Sequence, residues 1–172
     1  MELFNAIEAR RSVREFADEP VGRDVMEKIV AAAIEAPTGC NFQLKHYIIV
    51  DDPGVMDKLR PVSPAMKTAP AAIVLLVEPK ATKYGEYWMQ DASAAMQNML
   101  LAAVGLGYAG CWIEGHVRPN EQRLREILSV PADMRVWAMT PVGKAAGSPQ
   151  RPPKPAPSEV LHYNRFGARS KR

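Results

Sequence analysis

The stretch 92–113 contains no charged side chain. An uncharged run of that length is long enough to cross a bilayer, so it either spans a membrane or is buried in protein. Ser93, Gln97 and Asn98 interrupt it, alanine and glycine dilute it, and Gly105, Gly107 and Gly110 would break a continuous helix. The pattern predicts a buried helix over 86–106 followed by a buried strand over 109–114. Met89, Ala92, Met96, Met99, Leu100 and Ala103 recur along that helix at steps of three and four, and its opposite side is nearly uncharged too. A helix apolar all round must be covered all round. For a chain of 172 residues, a second subunit is the economical cover. The letters GLGYAG at 105–110 match the dinucleotide fingerprint, but they follow a helix and open a strand. That is the reverse of the context in which a helix N-terminus meets a pyrophosphate. These glycines read as a helix C-cap and a tight turn.

The surrounding pattern is helices first, then strands and helices mixed, which argues an α+β or mixed α/β arrangement. Helices are expected at 2–10, 21–36, 55–60 and 119–128, with Asn120 as a possible cap for the last. In the helix at 21–36, Val25, Ile29, Ala32, Ala33 and Ala36 share a face. Strands are expected at 47–50, 71–77 and 134–142. The run at 71–77 is apolar throughout and bounded by Pro70 and Pro79, as a central strand covered on both faces would be. No repeat or linker divides the chain, so 1–172 reads as one domain. Beyond Gly143 it becomes rich in proline and basic residues, and 147–172 is expected to run extended.

Composition excludes several classes. Hydrophobic residues make up 47% and charged residues 24%, which is globular rather than disordered. Two cysteines, Cys40 and Cys111, without a CxxC pair, rule out a disulfide scaffold, and His46, His116 and His162 lack metal-ligand spacing. The first residues carry no signal-peptide pattern, so a cytoplasmic protein with reduced thiols is expected. A net charge of +3 permits anionic ligands without demanding nucleic acid. A nucleic-acid role for Arg165, Arg169, Lys171 and Arg172 is disfavoured by the modest charge and the scarcity of aromatic residues.

Four local features carry chemistry. Arg10, Arg11, Ser12 and Arg14 form a compact cluster suited to a phosphomonoester, since guanidinium groups pair bidentately with phosphate oxygens. A solvated charge run at a helix C-terminus is the equal alternative. Thr38, Asn41 and Gln43 offer amide and hydroxyl groups to the edge of a flat heterocycle, although alone the segment reads as a plain turn. Glu114 and Gly115 follow a strand, where a glycine admits a ligand close to backbone amides. Arg151 and Lys154 are either a second phosphate clamp or a solvated tail. No catalytic constellation stands alone, so an enzyme built on this chain would leave the chemistry to a cofactor.

Taken in order, these segments resemble the nitroreductase family of flavin enzymes. The resemblance rests on RRSVREF at 10–16, APTGCNFQ at 36–43, APAAIVLL at 69–76, DASAAMQNMLLA at 91–102, GLG at 105–107, WIEG at 112–115, VG at 142–143 and EVLH at 159–162. It implies a three-layer α-β-α fold with a central mixed sheet, in a domain-swapped homodimer with FMN at the subunit interface. It implies that Arg10, Arg11, Ser12 and Arg14 hold the FMN phosphate and ribityl chain, with Arg151 and Lys154 as further phosphate contacts. Pro37, Thr38, Gly39 and Asn41, joined by Gln43, would come from the partner subunit. Glu114 and Gly115 would offer backbone N–H groups near flavin N5, with no titrating side chain required as catalyst. The implied reaction is ping-pong transfer of hydride from NAD(P)H through the flavin to a small-molecule acceptor such as a nitroaromatic or quinone. A flavin-storage protein, or a relative with a flavin-consuming, dehalogenating or ene-reducing reaction, is the alternative. Neither nucleic acid, membrane nor metal is implied.

Overall fold

A computed structural model describes residues 1–80 and 85–169. Lys171 and Arg172, and part of the 79–87 segment, lie outside the described residues. The elements in chain order are α1 (Leu3–Ala9), α2 (Arg23–Ile34), β1 (Lys45–Val50), α3 (Pro53–Leu59), β2 (Ala71–Val77), α4 (Trp88–Gly105), α5 (Glu121–Leu128), β3 (Arg135–Val142) and α6 (Pro157–Val160). The three strands form one sheet in the order β1-β2-β3, antiparallel throughout. The parallel component expected of a mixed sheet is one bridge, between Ser12 and Gly110.

All seven residues of β2 are buried. Side chains of a strand alternate between faces, and here each face meets a different core. Ala72, Val74 and Leu76 pack with Met56, Leu59 and Leu124, from α3 and α5. Ala71, Ile73, Leu75 and Val77 pack with α2 and α4 through Met26, Ile29, Met96 and Met99. Helices therefore cover both faces of the sheet, giving the three layers. The buried stripe of α2 is Met26, Ile29 and Ala33. Val25 and Ala32, which share the predicted face, are half-buried beside it.

Helix α4 buries Ala92, Ala95, Met96, Met99, Leu100 and Ala103, while Met89 at its start is exposed. It ends in a Schellman motif: Tyr108 N–H donates to Ala103 O at 2.8 Å and Gly107 N–H to Val104 O at 2.9 Å. Gly107 has φ +79, the left-handed conformation that this motif requires. No described helix is long and apolar enough to cross a membrane.

The predicted strand over 109–114 does not form. Ala109 pairs with Gly143 and Ile113 with Met139, each as an isolated antiparallel bridge with both N–H···O bonds made. The register sets Cys111 opposite Pro141, which has no N–H to donate, so the ladder is interrupted between the two bridges. The Pro141 carbonyl accepts instead from the Thr140 hydroxyl at 3.1 Å. Gly110 sits tight in this gap: a Cβ there would lie 2.6 Å from both Pro141 O and Thr140 Oγ1. Asn120 occupies the N-cap position of α5 without capping it. Its Nδ2 donates to His116 O at 2.8 Å instead.

Glu121 joins α5 to β3. Its carboxylate accepts from Arg135 Nε at 2.7 Å and Nη2 at 2.8 Å, and from Val136 N–H at 3.1 Å. The Arg135 hydrogen bond is the largest influence holding this carboxyl below its ordinary value of 4.5. A carboxyl depressed by folding contributes stability above its unfolded pKa and loses it as pH falls through the folded one. Glu121→Gln is therefore expected to cost about 1 kcal/mol at neutral pH. The gap from wild type should close on acidification through and below 4.5, as read from urea unfolding across a pH series.

Candidate active site

The segment after α1 is stitched into the body of the protein by its backbone. Val13 N–H donates to Gly110 O at 3.0 Å, Ala17 N–H to Lys144 O at 2.9 Å, and Ala146 N–H to Glu15 O at 3.1 Å. Val13 and Phe16 point into the core, while Ser12 and Arg14 on either side of Val13 are exposed. A cavity of about 890 Å³ lies beside this segment. Its walls bring Arg10, Arg11 and Arg14 together with Arg151 and Lys154, so two runs of cations distant in sequence share one space. Glu8 is the acidic residue of the wall, and its Oε1 accepts from Arg151 Nη1 at 2.6 Å. Arg11 is spent on the end of α1, donating to Glu8 O and Arg10 O at 2.6 Å each. Among the described residues the side chains of Arg10 and Lys154 have no hydrogen-bond or ion-pair partner. Five cations against one carboxylate make a strongly anion-selective pocket, large enough for a mononucleotide.

Arg14 also lines a second cavity, of about 300 Å³, with Ser63, Trp112, Glu114, Gly115 and His116. Here the chain leaves its last bridge at Ile113 and turns, Glu114 O accepting from the N–H groups of Val117 and Arg118. Among the described residues, neither Glu114 N–H nor Gly115 N–H donates to another protein group. A Cβ on Gly115 would meet nothing within 4 Å, so this glycine borders open space. Trp112 Nε1–H is buried and has no acceptor among the described residues. Cys111 is an inert neighbour, its thiol pushed up to about 11 by burial despite Arg14 nearby.

The loop at 37–43 is built but stands apart from both cavities. Cys40 and Asn41 each have φ +56, a left-handed conformation that costs a non-glycine residue energy. Gln43 Nε2 clasps the loop, donating to Asn41 Oδ1 at 3.0 Å. Asp91, buried at the start of α4, accepts Gly39 N–H at 2.8 Å. Lys45 Nζ reaches Ala36 O at 3.4 Å, and burial lowers its pKa while the Asp91 charge partly restores it. Within this chain, none of Pro37, Thr38, Gly39, Asn41 and Gln43 lines either cavity; Gln43 lines a separate hollow with Ile34 and Tyr47.

A model of the nitroreductase family matches residues 7–63 and 62–144. The chain belongs to the nitroreductase family. It is therefore an oxidoreductase. A protein of Archaeoglobus fulgidus, provisionally named NADH dehydrogenase/NAD(P)H nitroreductase, is 37% identical over 149 residues, 83% of this chain and 84% of its own. The solved structure of an FMN-dependent nitroreductase from Clostridium difficile R20291 superposes with a TM-score of 0.81 at 27% identity, covering 95% of this chain and 99% of that one. A BluB-like flavoprotein from Clostridium difficile 630 has the same fold, with a TM-score of 0.86 at 20% identity over 96% of this chain and all of that one.

The site includes residues that the sequence reading does not single out. Ser63 and Trp112 line the second cavity, and Asp91 and Lys45 brace the loop. Asp91 carries a readable signal, as the acidic residue that closes the uncharged stretch on its N-terminal side. Asp91→Ala leaves Gly39 N–H unpaired and is expected to destabilise the protein by about 2 kcal/mol. Exchange of the Gly39 amide in hydrogen–deuterium exchange should rise at least about tenfold, with recovery in Asp91→Asn, which keeps the acceptor.

Proposed function

We propose that this chain is an FMN-dependent NAD(P)H oxidoreductase that works as a homodimer and reduces nitroaromatics, quinones or related acceptors. The observation that carries this reading is the convergence of Arg10, Arg14, Arg151 and Lys154 on one cavity that adjoins the unpaired N–H groups of Glu114 and Gly115. A phosphate needs the cations, and the polar edge of a flat ring needs the amides.

In this reading Arg10, Arg11, Ser12 and Arg14 bind the phosphate and ribityl chain, and Arg151 and Lys154 close over the phosphate. Glu114 and Gly115 present their N–H groups to the ring. When bound, FMN supplies a two-electron carrier that takes hydride at N5 from NAD(P)H and gives it up to the acceptor. The side chains and amides of this chain bind, orient and balance charge, and none has to act as a titrating catalyst. Pro37, Thr38, Gly39, Asn41 and Gln43 serve the site of the second subunit, which agrees with their distance from the cavities of their own. Leu3 and Phe4 on α1 are 61% and 81% exposed, and Phe166 near the C-terminus is 91% exposed. Apolar surface of this kind is suited to burial against a second copy.

The test is an absorption spectrum of the purified protein, followed anaerobically as NADPH and then NADH are added. Flavin bands that bleach with a nicotinamide are expected. A protein with no flavin, which takes up none when FMN is supplied, overturns the reading. Flavin that neither nicotinamide bleaches turns the reading toward storage. Arg14→Ala is expected to lose FMN on dialysis and to raise its dissociation constant at least about tenfold, the dimer remaining intact.

A further inference from the structure

The second cavity holds two groups that the reading above leaves unused, Ser63 and His116. We propose that His116, held in one tautomer by Ser63, binds the electron acceptor by donating a hydrogen bond from Nε2–H to its oxygen. The substrates are then acceptors whose reduced charge gathers on oxygen, quinones first among them. This inference rests on the flavin reading of the site.

The argument begins at a hydroxyl. Ser63 is 2% exposed and caps the helical turn Pro64–Met66, its Oγ accepting from Ala65 N–H at 3.4 Å. The same Oγ lies 3.3 Å from His116 Nδ1. A serine hydroxyl has a single hydrogen, and the amide of Ala65 cannot receive it. Among the described residues Nδ1 is the one acceptor within reach. If Nδ1 carried the proton, the buried hydroxyl hydrogen would have no partner. Neutral His116 is thus protonated at Nε2, the nitrogen that Ser63 does not occupy.

The ring is braced along the backbone as well. His116 O accepts from Asn120 Nδ2 at 2.8 Å, and Val117 beside it is fully buried. The imidazole itself is exposed and lines the cavity that Glu114 and Gly115 share. Gly115, without a side chain, leaves the approach to it clear. The charged groups facing this cavity are Arg14 from the first segment and Glu114 from the turn; residues 63–65 and 111–113 contribute none.

A quinone that takes up a hydride becomes a hydroquinone monoanion, its two electrons drawn from NAD(P)H through the bound FMN. A proton from water then completes the hydroquinone. The negative charge appears on oxygen, where a donor whose tautomer is already set stabilises the transition state more than the ground state. Ferricyanide accepts single electrons and offers no such oxygen.

The test uses FMN-loaded wild type, His116→Phe and His116→Gln, and reads the ratio of kcat/KM for benzoquinone to that for ferricyanide. The ratio is expected to fall about tenfold or more in His116→Phe and to recover in part in His116→Gln, whose amide restores a donor. The imidazole 15N spectrum of the wild type at mildly alkaline pH should show Nε2 protonated and Nδ1 bare. Ser63→Ala should mix the tautomers and Ser63→Thr restore them. A ratio within about twofold of wild type in folded, flavin-loaded His116→Phe overturns the inference. A wild-type spectrum with the proton on Nδ1 overturns it independently. Wild-type protein that takes up no FMN defeats the site reading first, before any variant is made, so the two failures are distinct.

Discussion

Seven consecutive buried residues, Ala71–Val77, carry the architecture. With no polar side chain in the strand, its backbone groups can be satisfied only by ladders on both edges, and β1 and β3 supply them. Its alternation then assigns Ala72, Val74 and Leu76 to one core and Ala71, Ile73, Leu75 and Val77 to the other. Each flanking helix needs one apolar stripe because the strand between the layers needs two covered faces. The short helices α3 and α5 and the long α4 are answers to the same demand from opposite sides.

The site depends on where this sheet fails to grow. A fourth strand over 109–113 is prepared at both ends, by the bridges at Gly143 and Met139, and is denied at its middle by Pro141. Because the segment is fastened at Ile113 and then turns, the N–H groups of Glu114 and Gly115 emerge without partners among the described residues. The first segment, tied to Gly110 through Ser12 and Val13, sets Arg14 between the two cavities. Cations and amides thus become neighbours through backbone bonds rather than through their own side chains.

Much of this was legible in the residues. The central strand has the bounds that its residues predict, because an apolar run closed by prolines has few other uses. The predicted long helix is two residues too long at its start and one at its end, and its turn at Gly107 is the Schellman geometry that the glycines announce. The strand over 109–114 was not legible: the residue that breaks it, Pro141, lies in another strand, and only the register sets it opposite Cys111. The same limit governs the site. The chemistry of Arg10, Arg14, Arg151 and Lys154 was local and readable, but their meeting in one cavity was not. Ser63 and His116 are 53 positions apart, and neither announces the other. Asn120 has the position of a helix cap, but its amide is turned to donate to the His116 carbonyl rather than to accept from the first turn of α5.

The ion pair between Glu8 and Arg151 spans 143 positions of sequence. One wall of the cationic cavity comes from α1 and the segment that follows it, and the facing wall from the arm beyond β3. Neither wall belongs to the sheet or to the two cores around it. The shape of the anion pocket therefore depends on how the arm lies against α1, and a change that shifts the arm can unmake the pocket while the layered body keeps its packing.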